Sequence, residues 1–118
     1  MTQAWVVLTN ADGIDISAPS ERQLNAALAD VFKAGASGED DNSAVLRFGY
    51  DDGLMYEMEV SHGGEVKFEE WSDRDCEIAL ASPKRMSKLS QKDVLQLWMW
   101  MAQRQVAKIR SQPWSPAV

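Results

Sequence analysis

The chain has 118 residues, 45% hydrophobic and 25% charged, a size and composition suited to one domain over residues 1–118 with a single core. Cys76 is the only cysteine, which excludes a disulfide framework and a multi-cysteine zinc site and fits a reducing compartment, the cytoplasm. The net charge of −6 is divided unevenly: residues 1–81 hold 17 acids and 5 bases, residues 82–118 hold 1 acid and 7 bases. Such an acid excess disfavours nucleic acid as the partner, because phosphate binding needs clustered Lys and Arg.

The stretch Met1–Gly13 has no basic n-region, and its apolar run Ala4–Leu8 is too short for a leader or a membrane span. Trp5-Val6-Val7-Leu8 is β-rich, Asn10-Ala11-Asp12-Gly13 has turn chemistry, and Ile14-Asp15-Ile16 alternates, so two short strands are expected, paired as a hairpin. Ser20 with Gln23 three residues later is a capping-box pattern. Leu24, Ala27, Leu28, Val31 and Phe32 then recur at helical spacing, which predicts an amphipathic helix over 20–34, stopped by Gly35. The small, polar, acidic stretch 35–43 predicts an exposed loop.

Three runs with period two follow: Ala44-Leu46-Phe48-Tyr50, Leu54-Tyr56-Met58-Val60 and Val66-Phe68. They predict an antiparallel meander with one wet face. Facing residues in a hairpin share a side of the sheet, so each loop must be odd in length. A three-residue loop Asp51-Asp52-Gly53 sets Phe48 opposite Tyr56 and Leu46 opposite Met58. The loop His62-Gly63-Gly64 sets Val60 opposite Val66, Met58 opposite Phe68 and Glu59 opposite Lys67, whereas a two-residue Gly-Gly turn would oppose Glu59 and Phe68. Cys76-Ile78-Leu80 alternates weakly as a last strand before Pro83. Ser90 with Asp93 then starts a long helix, free of Gly and Pro from Gln91 to about Arg110 and ended by Pro113. The expected class is α+β, an antiparallel sheet packed by two helices in the order ββαββββα.

On a helical wheel Val94, Leu95, Leu97, Trp98, Met101, Ala102, Val106 and Ile109 share the arc that should face the sheet, while Trp100 falls outside it beside Gln96 and Arg104. Trp100 is thus either an interface anchor with Arg104 as its neighbour or a residue packed under the C-terminal tail, and its exposure decides. The wet face of the meander carries Arg47, Glu57, Glu59, Glu65, Lys67 and Glu69, with Trp71 in the same parity. It is a mostly acidic patch with an aromatic at one end that could receive a basic partner, although cross-strand pairs such as Arg47 with Glu57 and Glu59 with Lys67 account for much of it as routine solvated sheet. Asp51 and Asp52 at the hairpin tip extend it.

The residues offer catalysis little. His62 is the only histidine and sits at a turn, Cys76 has no histidine nearby in sequence, and Glu57, Glu59, Glu69 and Glu70 form no defined carboxylate pair. Asp51-Asp52-Gly53 lacks calcium-loop spacing, and no glycine loop would cradle phosphate, so no cofactor or metal is expected. The class favoured is a protein-binding domain without turnover. Against it stand a small hydrolase or transferase using meander carboxylates, and an adaptor or chaperone that binds an effector without inhibiting it.

The layout of a leading helix, an acidic meander, Leu80-Ala81-Ser82-Pro83-Lys84-Arg85-Met86, a Ser-capped helix and a closing Gln112-Pro113-Trp114 resembles the immunity proteins of bacterial polymorphic toxin systems. The nearest likeness is the tryptophan-containing α+β family often encoded beside deaminase-superfamily toxins, over roughly residues 20–114. The resemblance implies a role, neutralising a cognate toxin domain with a basic active-site cleft by tight binding, and no functional residues. Neither nucleic acid nor membrane enters that role, and a binding domain of this kind is expected as a monomer or a small homo-oligomer such as a homodimer.

Overall fold

A computed structural model describes residues 4–36, 43–50, 53–61, 64–72, 79 and 83–116. The strands β1 (Ala4–Thr9), β2 (Asp15–Ser17), β3 (Ser43–Tyr50), β4 (Met55–Ser61), β5 (Glu65–Trp71), β6 (Lys84–Met86) and β7 (Ser115–Pro116) form one sheet in the order β2-β1-β3-β4-β5-β6-β7. Every pairing is antiparallel. Helices α1 (Glu21–Ala36), α2 (Gln91–Ala102) and α3 (Val106–Arg110) complete an α+β architecture. Among the described residues no helix is long and apolar enough to cross a membrane.

Both hairpin registers follow the alternation of the sequence. Phe48 faces Tyr56 and Leu46 faces Met58; Val60 faces Val66, Met58 faces Phe68 and Glu59 faces Lys67. Gly53 (φ 115°) and Gly64 (φ 77°) take the positive φ that these tight loops require. In the first hairpin the Asn10 side chain accepts from the N–H groups of Asp12 and Ile14 at 3.0 Å, which closes the turn between β1 and β2. The capping box of α1 is reciprocal: Gln23 N–H donates to Ser20 Oγ at 3.2 Å, and Ser20 N–H donates to Gln23 Oε1 at 2.8 Å. The helix runs through Gly35 to Ala36, two residues past the expected end.

The inward residues of the strands, Leu8, Leu46, Phe48, Met58, Val60, Val66 and Phe68, bury against Leu24, Leu28 and Val31 of α1 and Val94, Leu97, Trp98 and Met101 of α2 in one cluster. All three helices therefore serve the same face of the sheet. An aromatic ladder crosses it, with Phe48 stacked on Tyr56 at 4.6 Å between centroids, Tyr56 beside Phe68 at 6.5 Å, and Phe68 under Trp114 at 5.6 Å.

Two elements differ from the sequence reading. The strand beside β5 is Lys84–Met86, immediately after Pro83, with β7 beyond it. Of the expected strand Cys76-Ile78-Leu80, the described residue Ala79 makes an isolated bridge to Trp71 and the named three lie outside the described residues, as does His62. The long C-terminal helix is also broken. Arg104 adopts φ 59°, its N–H donates to Met101 O at 3.0 Å, and Gln105 N–H donates to Trp100 O at 2.8 Å. This is the Schellman arrangement, with an arginine where glycine is usual. The break turns α3 back so that Ile109 is fully buried and Arg110 reaches Glu70, which a straight continuation would carry past the sheet.

Candidate functional site: the open face of the sheet

Strand alternation sends every second side chain to the face opposite the helices, and the pairing register arranges these into rows across the strands. The polar row runs Asp15, Thr9, Val45, Glu59, Lys67, Arg85, Ser115; the next runs Ser17, Val7, Arg47, Glu57, Glu69; the third runs Trp5, Gly49, Met55, Trp71. Among the described residues no helix lies on this face. It grades from polar at one end to aromatic at the other.

In the middle row Glu57 and Glu69 stand directly opposite each other, an unfavourable placement of like charges unless cations intervene. Arg47 Nε lies 3.6 Å from Glu57 Oε2, and Lys67 Nζ lies 3.2 Å from Glu69 Oε1. Lys67 thus pairs along its own strand although Glu59 is its cross-strand neighbour. Arg47 also donates to Thr9 Oγ1 at 3.3 Å, and the Thr9 hydroxyl donates to Asp15 Oδ1 at 2.7 Å, so a polar chain ties three strands together. Glu59, Ser61, Glu65, Lys67 and Arg85 line a shallow hollow of about 220 Å³, with the Ser87 hydroxyl donating to Glu65 at 2.9 Å. Arg85, contributed by the strand that sequence alone did not place, joins Arg47 and Lys67 among the acids of this face.

The aromatic row has a structural signature of its own. A Cβ placed on Gly49 would lie 2.5 and 2.9 Å from ring atoms of Trp5, so the indole packs closely against the bare glycine backbone. Met55, the next residue in the row, is buried despite pointing away from the helices, and Trp71 beyond it is half-buried. The Trp71 indole Nε1 is buried with no hydrogen-bond partner among the described residues.

Of the residues singled out by sequence, Glu57, Glu59, Glu69 and Trp71 share this face. Asp51 and Asp52 lie outside the described residues. Trp100 and Arg104 lie elsewhere. Trp100 is half-buried and lines a groove of about 350 Å³ with Met86, Leu89, Leu97 and the tail residues Gln112 and Pro113, while Arg104 is exposed at the helix break and does not continue the Trp100 face. Trp114 is occupied separately, its Nε1 donating to Ile109 O at 2.7 Å. Sequence reasoning missed Trp5, whose signal was Gly49, a lone glycine inside a strand pattern.

It also missed an ion pair on the helix-covered face. Glu70 follows Val66 and Phe68 in the inward parity, is 4% exposed, and accepts from Arg110 through Nη2 and, at 3.4 Å, through Nε. Its hydrogen bond to Glu70 is the main influence raising the Arg110 guanidinium pKa further above its ordinary value. Burial pushes the neighbouring Tyr56 hydroxyl up, with Arg110 pulling the other way. Tyr56 lies directly across from Glu70 on β4, so the pair fastens the C-terminal helix to the sheet. Among the described residues no cluster of His, Cys, Asp or Glu could hold a metal ion.

Comparison of the chain with protein-family models, with curated proteins and with solved structures finds no match in any of the three.

Proposed function

We propose that this chain is a protein-binding domain acting as an immunity protein: it neutralises a cognate bacterial toxin domain, of deaminase or nuclease type, by occupying its basic cleft, in the cytoplasm and without catalysis. The observation that carries the reading is the open sheet face, where the half-buried tryptophans Trp5 and Trp71 flank Met55 beside the opposed carboxylates Glu57 and Glu69. Aromatic anchors bordered by a charged rim suit a protein interface, and opposed carboxylates gain from a cation supplied by the partner. The resemblance in layout supplies the toxin as the partner. Arg47, Lys67 and Arg85 require a few acidic groups on that partner too, so the complementarity is of pattern more than of net charge.

The test is co-purification of the full chain with the product of the adjacent upstream gene, together with growth of cells making that product with and without this chain. A one-to-one complex with rescue of growth is expected. Trp71→Ala and Glu57→Lys should each weaken the complex at least tenfold. A complex without rescue would make the chain an adaptor, and neither complex nor rescue would overturn the reading.

A further inference from the structure

The hinge between α2 and α3 sets local preference against tertiary structure. Gln103, Arg104 and Gln105 are good helix formers, and no Gly or Pro occurs from Gln91 to Ser111, so the local sequence favours one helix over 91–110, about 30 Å long. The chain instead breaks there and holds Arg104 in the left-handed region at φ 59°, a conformation that costs a residue with a Cβ roughly 1 kcal/mol or more. What holds the break lies C-terminal to it. Ile109 is fully buried, Arg110 pairs with Glu70, Trp114 stacks on Phe68, and Ser115 and Pro116 pair with Arg85 and Lys84.

We propose that residues 106–116 are an exchangeable segment, hinged at 103–105, whose second seat is the same site on another copy of this chain. If the hinge straightens, α2 and α3 fuse and carry the segment off its own body, leaving the Phe68 ring, the Glu70 carboxylate and the β6 edge vacant. The identical segment of a second copy satisfies all three with the same contacts. Monomer and exchanged dimer then differ only in the hinge and in the entropy of association, which is why a strained hinge favours domain swapping. None of the exchanged contacts involves the row from Trp5 to Trp71, so the dimer presents two open sheet faces and binds a paired or clustered target with increased avidity.

The test uses the full chain, refolded over a range of protein concentrations and sized by chromatography with light scattering. A dimer fraction that rises with concentration is expected. Arg104→Gly relieves the left-handed conformation and should raise the dimer dissociation constant roughly 25-fold, about fivefold at each of two hinges. A second arm mixes Glu70→Arg chains with Arg110→Glu chains. Each alone sets like charges together, whereas a mixed dimer joins the unaltered Glu70 of one to the unaltered Arg110 of the other and the reversed pair at the second seat. Refolding the mixture should therefore yield a one-to-one heterodimer that neither chain forms alone. A dimer unaffected by Arg104→Gly, a mixture that does not associate, or a chain that stays monomeric throughout would each overturn the proposal.

Discussion

The two faces of this sheet are built from the same strands and differ in what covers them. Toward the helices, Leu46, Phe48, Met58, Val60, Val66 and Phe68 are buried almost completely, and the one buried carboxylate among the described residues, Glu70, has its own arginine. Toward solvent, rows of opposite charge grade into Trp5, Met55 and Trp71. The contrast teaches that stability is carried by one face: burial of apolar surface supplies it there, while the open face holds charges whose mutual pairing in water contributes little to it.

The comparison can be broken from its stable side first. Phe68→Ala should cost about 3–5 kcal/mol in denaturant unfolding, because it removes a buried ring together with the seat of Trp114. A loss near 1 kcal/mol would mean that the covered face is not the core. Arg110→Ala should cost roughly 2 kcal/mol by the same measurement. That is less than a fully buried pair loses, since the Arg110 side chain is 51% exposed and water can reach the carboxylate left behind. Gly49→Ala should destabilise by about 1–2 kcal/mol and alter tryptophan emission, as the new methyl group enters the space of the Trp5 ring and of Leu54 O. Unchanged emission would remove the aromatic row as an ordered feature.

Two smaller effects sharpen the contrast. The Tyr56 pKa is raised by burial, so the folded state holds its proton more tightly than the unfolded state. That contribution is present below the ordinary tyrosine range and is lost as pH rises through it and above, and Tyr56→Phe should flatten the alkaline fall in stability. Glu57→Gln on the open face should change stability by no more than about 0.5 kcal/mol, because it exchanges a 3.6 Å pairing with Arg47 for relief of the opposed Glu69. A loss above 1.5 kcal/mol would make that face structural.

Most of the architecture was legible because it is written at short range. Period-two alternation and odd loops set the registers of β3, β4 and β5, Ser20 and Gln23 marked the start of α1, and the same parity brought Glu57, Glu59, Glu69 and Trp71 to one face. These follow from a few neighbouring residues and the geometry of a strand or a helix. The tertiary structure alone decided the break at Arg104, the placing of Lys84–Met86 beside β5, the inward pairing of Glu70 with Arg110 forty residues later, and the seating of Trp5 over Gly49. In each case the determining partner is distant in sequence. Local propensity at Arg104 in fact points to continuous helix, and it yields because burial of Ile109 and Trp114, together with the carboxylate of Glu70, outweighs the cost of one left-handed residue.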